Sequence, residues 1–493
     1  MSESITDMVL PGAYIGVNAQ GLITPAAIAT GNIGIVGTAA SGPVQSSPQA
    51  IALGGYQDAL TNFGPYDAFA NPTTSGAPLT LVRALEQAFN AGAGNVYAVR
   101  IATSPPTTAS AVLVLAASAG PGITLTAIAA GSYGNQITYT LVEVGTGATT
   151  QWKLTLVLGS LKETHTVPAG ANAVAALCAA VTPAAPLPGG SALVTAVAAT
   201  SPPSSNALAP VTTPTALAGG DDFAAVTPAE VEAGLAALEN VPVNIVLVPG
   251  FAPSDIASVV EGHLDTTLQE GNERIAVLGV TDSGSAGAAA DALNDASGIA
   301  SDRIVLVTPG LLATDAPTGT QVTLAPSYLA AVVGGALAAL APEVSLTNQA
   351  LNVTGIDVQY VRAMAEQLLL GRLLVVREKF GYQVVRAITT DTGGFTEIAV
   401  RRSVDYAKQG IRSAADAFIG QLNDDRSRAA LQSTLDGFLS GMVLSEMLVN
   451  YTLDVSATPG QQIAGQVIVT INLLPVFSIN YILVTMNLGP VGS

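Results

Sequence analysis

The chain has 493 residues, of which 49% are apolar and only 11% charged, and its formal net charge is −18. That length predicts two to four domains. A charged fraction far below the roughly 25% of typical domains predicts a surface largely covered by other protein. The acidic balance argues against nucleic-acid binding, which needs many unpaired Lys and Arg to displace counterions from phosphates.

From the N-terminus, MSESITDMVLPG has neither a basic n-region nor a long apolar run and is not expected to be a signal peptide. LPGAYIGV alternates apolar and small residues and reads as an extended arm, with β character at Tyr14, Ile15 and Val17. Ile33–Val36 reads as a short strand closed by Gly37. In residues 78–91 Leu81, Leu85 and Phe89 recur every four residues, which predicts a helix, and NVYAVRI after it reads as a strand. Composition shifts at Thr103. From there to about residue 218 the chain is rich in Ala, Thr, Ser, Gly and Pro, and the strings ITLTAIA, QITYTLVEV, WKLTLVL and ETHTV predict a small β-sandwich.

After LAGGDDF the pattern alternates between helices and strands. Thr227 is placed to N-cap a helix from Pro228 to Leu238. NIVLVPG, RIAVLGV and DRIVLVTPG are apolar runs of the kind that form a parallel sheet covered by helices on both faces. Tyr328–Ala341 is too short for the ~20 residues of a membrane span, and its Ala and Gly content suits a buried helix. Toward the C-terminus the reading gives a helix over 361–370, then a hairpin of YQVVRAIT and FTEIAV joined by TDTGG. Two helices follow, over 404–422 and from 424 to about 449. Two strand-like runs close the chain, IAGQVIVTINLLP and VFSINYILVTMNLG.

Chemistry-bearing patterns are sparse. His165 and His263 lie in different predicted units, Cys178 is the single cysteine, and there is no HExxH or paired-Cys spacing to bind zinc. His263 is expected on a solvated helix face. Ser283–Gly287 lacks the first glycine of a nucleophile elbow. Asp391-Thr-Gly393 matches an aspartic-protease triplet but reads better as turn chemistry. The glycine-rich run from Gly31 to Gly42 has no GK[ST] and reads as a tight turn. An α/β hydrolase and an acidic surface-layer protein stand as alternative readings, and no catalytic residue, cofactor or metal site is assigned.

Charge is sharply sorted. Eleven of the 17 Lys and Arg lie between Arg362 and Arg428 with eight acidic residues, while the other 426 residues hold six basic and 27 acidic groups. Arg401, Asp405, Lys408 and Arg412 fall along one predicted helix face, which reads either as a solvated stripe or as a basic docking surface for an acidic partner. The last strand, through Ile479, Tyr481, Ile482, Leu483, Val484 and Met486, is apolar on both faces. It either pairs within its own domain or adds to a neighbour's sheet.

Several strings, in order, resemble the contractile tail sheath proteins of myophages and related injection machines. They are PGAYI, GIVGTAASGPV, GGYQDALTNFG, GSYGNQIT, LAGGDD with ERIAVLG, VRRSVDYAKQGIRSAADAFIGQLND, LDGFLSGMVLSEMLVNYTL, and GQVIVTINLLPVFSINYILVTM. The resemblance implies an α+β multi-domain fold: an α/β core of subtilisin-like shape, an inserted β-sandwich, and a C-terminal α+β domain with extended terminal arms. The implied division is an arm at 1–26, an α/β segment at 27–102, the insertion at 103–216, the α/β domain at 217–355, the C-terminal domain at 356–478 and a strand arm at 479–493. It also implies a six-fold homo-oligomer of stacked rings or helical strands around an inner tail tube. Baseplate and tail terminator would be further partners, in a virion tail assembled in the host cytoplasm, with no nucleic-acid contact or direct membrane insertion. Arg401, Arg402, Lys408 and Arg412 would face the tube, and the terminal arms would complete the sheet of another subunit.

Overall fold

The computed structural model describes residues 28–43, 48–64, 79–104, 107–114, 121–159, 161–182, 190–199, 208–281, 288–314 and 319–486. The N-terminal arm with Tyr14, Ile15 and Val17, and the Ser283–Gly287 string, lie outside these residues.

The first elements are β1 (Asn32–Gly37), β2 (Ala50–Leu53), α1 (Tyr56–Phe63), α2 (Leu81–Asn90) and β3 (Asn95–Arg100). The insertion contributes β4 (Thr108–Val114), β5 (Pro121–Ala130), β6 (Thr138–Val144), β7 (Gln151–Leu158), β8 (Leu161–Pro168), α3 (Ala173–Val181), β9 (Val194–Ala198) and β10 (Val211–Ala216). The chain then runs through α4 (Pro228–Ala236), β11 (Ile245–Leu247), α5 (Pro253–Gln269), β12 (Ile275–Gly279), α6 (Ala288–Ala296), β13 (Ile304–Thr308), β14 (Leu311–Thr314), β15 (Gln321–Leu324), α7 (Pro326–Ala339), β16 (Gly355–Ile356), α8 (Arg362–Leu370), β17 (Leu373–Glu378) and β18 (Tyr382–Val384). The last elements are α9 (Ile398–Asp416), α10 (Asp425–Leu444), β19 (Leu448–Ser456), α11 (Pro459–Ile463) and β20 (Ile468–Pro475).

The centre is an eight-stranded sheet in the order β18-β17-β13-β12-β11-β1-β3-β2. Its inner strands are parallel, and β1 pairs with β11 through Ile33 and Ile245. Strands from 32–100 and from 245–384 therefore build one sheet, although the insertion separates them in sequence, and β17 and β18, expected in the C-terminal domain, belong to it. β1, β11, β12 and β13 are Ile, Val and Leu runs buried on both faces, as a covered parallel sheet requires. α2 and α7 pack on one face, and α4, α5, α6 and α8 on the other. A β-carbon at Gly335 of α7 would lie 2.3 Å from the Ala88 carbonyl oxygen of α2, so glycine there sets the approach of the two helices. Thr227 and Glu230 form a capping box at the start of α4.

The insertion folds as two antiparallel sheets, β4-β5-β9 and β10-β6-β7-β8, around Trp152, Leu154, Leu156, Ile123 and Leu125, with α3 packed on the same core. It joins the central sheet through a buried network. The Ser132 backbone N–H donates to Asp222 (2.8 Å), the Ser132 hydroxyl donates to the same carboxylate, and Asn135 and Gly220 exchange two hydrogen bonds. Arg100, at the end of β3, donates to the Gly42 carbonyl and lies 3.9 Å from Asp222. Burial lowers the Arg100 pKa to about 10, with Asp222 opposing the shift. Burial raises the Asp222 pKa, opposed by the Ser132 hydrogen bonds and by Arg100.

Near the C-terminus the structure departs from the sequence reading. FTEIAV does not form the second strand of a hairpin. Only an isolated bridge, Ile388 to Glu397, closes that loop, and α9 starts at Ile398. The second helix stops at Leu444 and the chain turns into the strand β19, which pairs with β20. Leu448–Ser456 alternates half-buried Tyr451, Leu453 and Val455 with exposed Asn450, Thr452 and Asp454, a period of two that the preceding helical run obscures.

Candidate assembly surfaces

α9 carries the four cations singled out in the sequence, and the structure turns them into this chain. Asp405 accepts two hydrogen bonds from Arg303, at 2.9 and 2.8 Å, and one from Arg401 at 2.8 Å. Arg401 also donates to Asp302 (2.7 Å) and lies over the Phe395 ring at 4.2 Å. Arg402 donates to the carbonyls of Thr30 and Leu340, the latter at the C-terminal end of α7. A cation is favoured there by the helix dipole. Burial lowers the Arg402 pKa to about 10.

Lys408 and Arg412 converge on Glu273, at 3.2 and 2.8 Å. The Glu273 side chain is fully buried, whereas those of Lys408 and Arg412 are 40% and 42% exposed. The expected presentation of these cations to an inner tube is corrected for Arg401 and Arg402, whose guanidinium groups are buried against their own chain. Lys408 and Arg412 are half-exposed and already paired. Arg401, Asp405, Lys408 and Arg412 do share one helix face, and that face is the seam between α9 and the central sheet. The partners missed in the sequence, Glu273, Asp302 and Arg303, stand immediately before β12 and β13. The strings NERIAV and SDRIVLV place rare charges at two strand entrances, a signal legible in a chain this poor in charge.

Burial pushes the Glu273 pKa up, but hydrogen bonds from Arg412 and Lys408 outweigh it and hold the group below the ordinary carboxylate range. A carboxyl depressed on folding stabilises the folded state above its unfolded pKa, and that contribution is lost as pH falls through the folded value. Acidification below about pH 4 is therefore expected to loosen α9 from β12, read as faster amide exchange in α9. Glu273→Gln should remove most of that pH dependence.

Two helices and a hairpin complete the domain. The ring centroids of Tyr406 and Phe438 lie 5.9 Å apart, and a β-carbon at Gly410 would meet the Phe438 ring at 2.0 Å. Tyr451 donates to Asp436 (2.6 Å) and its oxygen lies 2.8 Å from the Ser440 hydroxyl, fixing β19 to α10. β19 and β20 form a sheet of two strands only, so each has one edge without a partner strand among the described residues. After β20, Val476 donates its N–H to Met447, and Glu397 accepts from the Ser478 backbone and from the Asn480 side chain (2.7 Å). Beyond this anchor residues 481–486 join no sheet. Ile479, Tyr481, Ile482, Leu483, Val484 and Met486 are all exposed, Leu483 to 94%.

The nucleophile, acid and histidine side chains do not converge, and the one serine–carboxylate pair near a histidine, Ser191 and Glu163, was not singled out by any sequence pattern. The Ser191 hydroxyl donates to Glu163 (2.6 Å) and accepts from the N–H groups of Leu193 and Val194, while the nearest His165 nitrogen is 3.8 Å from Glu163. The serine is thus bound to the acid, with no histidine between them to take its proton. His263 is not on a solvated face. It is buried in α5 against Arg274 (3.1 Å), and burial followed by that cation lowers its pKa to about 4. Asp391 accepts from the Phe395 N–H in a local turn. Among the described residues no helix is long and apolar enough to cross a membrane.

Comparison with known proteins gives the same fold and a family. The sheath tail protein of Desulfitobacterium hafniense matches with a TM-score of 0.63 and 18% identity, over 94% of this chain and 100% of that one. The sheath tail protein of Listeria innocua matches at 0.53 and 17%, over 94% and 95%. A contracted sheath of an extracellular contractile injection system, PVC, matches at 0.57 and 14%, over 98% of both chains. No curated protein matches by sequence. The phage tail sheath central-domain model matches residues 224–390 and the phage tail sheath C-terminal-domain model residues 390–489. Together these cover more than half of the chain, including five of the eight strands of the central sheet, the α9 seam and the terminal hairpin. The chain belongs to the phage tail sheath family and is a structural sheath subunit.

Proposed function

We propose that copies of this chain stack as six-fold rings or helical strands around an inner tail tube, between a baseplate and a tail terminator. On a baseplate signal the lattice contracts and drives the tube through the host envelope. The subunit works by changing its packing, without catalysis, cofactor, nucleic-acid contact or membrane insertion, in a virion tail assembled in the bacterial host cytoplasm. Its α/β core has a subtilisin-like shape, 103–216 is an inserted domain, and 356–478 is the domain nearest the tube.

One observation carries the mechanical reading. A run of exposed apolar residues, 479–486, follows β20 without joining a sheet, beside a two-stranded sheet whose outer edges have no partner strand among the described residues. Two-stranded hairpins are marginal alone, and an open edge is a template for another strand. Residues 479–486 of one subunit add to the β19–β20 sheet of a second, and the arm around Tyr14, Ile15 and Val17 adds to the same sheet. Such contacts are heterologous and propagate as open filaments, and they hold neighbours together while the remaining interfaces exchange. Negative-stain microscopy of the purified chain should show tubes or rings. Particles that stay monomeric at high concentration, with and without tube protein, would remove this reading.

A further inference from the structure

The hairpin between β17 and β18 ends in an unusual way. Glu378 pairs with Tyr382, leaving Lys379, Phe380 and Gly381 as the turn. Phe380 at its apex has φ 54° and is 93% exposed. A β-carbon disfavours that left-handed conformation, and an exposed phenyl ring contributes nothing to this chain's own core. Both features run against folding, so the ring's use lies outside its own subunit. Gln359 exchanges two hydrogen bonds with the Glu378 backbone, both at 3.2 Å, which lays the segment leading to Val361 alongside the turn. Val361 is also largely exposed.

The local charges are Arg362, paired with Glu366 at 2.8 Å, together with Arg377, Glu378 and Lys379. Lys379 is exposed and has no ion-pair partner among the described residues. The tip is thus an apolar knob with a net positive rim, on a chain whose net charge is −18.

A complementary surface exists on the same chain. Residues 221–273 contain ten acidic side chains and no Lys or Arg. Four are engaged within the fold: Asp221 by the Phe223 N–H, Asp222 in the joint of the insertion, Glu230 in the α4 cap and Glu273 in the α9 seam. Glu232, Asp255, Asp265 and Glu270 are exposed on α4 and α5 or at the end of α5, which pack against each other and over β1 and β12. The tip belongs to β17 and β18 at the edge of the sheet, so knob and acidic face are different patches. Contact between different patches is head-to-tail and repeats from copy to copy.

We propose that the Lys379–Phe380 tip of one subunit docks on the acidic α4–α5 face of the next, as a sheath contact separate from strand exchange. The inference rests on the chain's polymerising as a sheath. Its test compares the critical concentration for assembly of the full-length chain, by sedimentation, for wild type, Phe380→Gly and Lys379→Glu. Phe380→Gly removes the ring and relieves the backbone, so its melting temperature should equal or exceed wild type while its critical concentration rises at least tenfold. Lys379→Glu should show a larger defect at low salt, and a second copy carrying Glu232→Lys and Asp265→Lys should restore co-assembly with it. Both tip variants assembling like wild type would overturn the proposal while leaving the sheath reading intact. A Lys379→Glu defect that the reversed acidic face fails to rescue, or that appears only with tube protein present, would overturn the assigned partner. A wild-type chain that never assembles would overturn the sheath reading and this contact with it.

Discussion

Deleting residues 479–493 is expected to abolish tube formation and leave the monomer folded. Apart from Asn480, whose amide donates to Glu397 at 2.7 Å, side chains 479–486 lie outside the chain's own core, so their removal should cost about 1–3 kcal/mol, the worth of one hydrogen bond to a charged group. In an assembly the same strand would cover six apolar side chains, each worth roughly 1.5–3 kcal/mol when fully buried. Even after ordering costs, a surplus of about 4 kcal/mol per contact corresponds to roughly a thousandfold in affinity. Circular dichroism of the truncated chain should match wild type and its melting should fall by only a few degrees, while sedimentation shows no polymer at a hundred times the wild-type critical concentration. Tubes formed by the truncated chain would rule out strand exchange through this arm. Cutting further back, through Ser478, would take the second bond to Glu397 as well, after the Asn480 bond has gone with the arm.

Asp405→Ala is expected to release α9 from the central sheet. The carboxylate holds two guanidinium groups, those of Arg303 and Arg401, in a buried setting. Removing one partner of a buried pair typically costs about 3–5 kcal/mol, because the remaining charge stays uncompensated. Amide exchange in α9 should report an opening free energy lower by about that amount, since sub-global opening is measured element by element. Arg412→Ala makes the contrast. Its side chain is half-exposed and Lys408 still reaches Glu273, so a loss of about 1 kcal/mol is expected, in the range of exposed pairs. Equal effects of the two substitutions would mean that the Asp405 cluster does not hold the seam.

The parallel sheet was legible because its strands are uncharged, mostly Ile, Val and Leu runs, and because Thr227 and the Ala and Gly content of 328–341 mark two of its helices. β19 was not legible, since SEMLVNYTL continues the apolar spacing of α10, which ends where Glu446 takes a positive φ of 62°. The charge window was visible as composition, but its direction was not. Whether Arg401 points to solvent or to Asp302 depends on contacts 99 residues apart in sequence, which local pattern does not encode. Glu397 was missed for the same reason: nothing local ties it to Asn480, 83 residues away. The terminal run was readable as apolar on both faces, but the strand expected from Val476 onward does not form within the subunit: residues 476–486 are exposed or half-buried and join no sheet.

The joint of the insertion has a practical consequence. Its entering and leaving segments run side by side, with Thr103 bonded to Phe223, Thr107 to Asp221 and Ser110 to Ala218 across the backbone. Closing the gap with a short turn therefore asks little stretching of the core, and the entropy of closing a loop grows only slowly with its length. The two stubs form a natural socket: a foreign domain, an epitope or a simple loop placed between Ser110 and Ala218 is expected to keep these backbone bonds, with Arg100 left beside Asp222 as the seat.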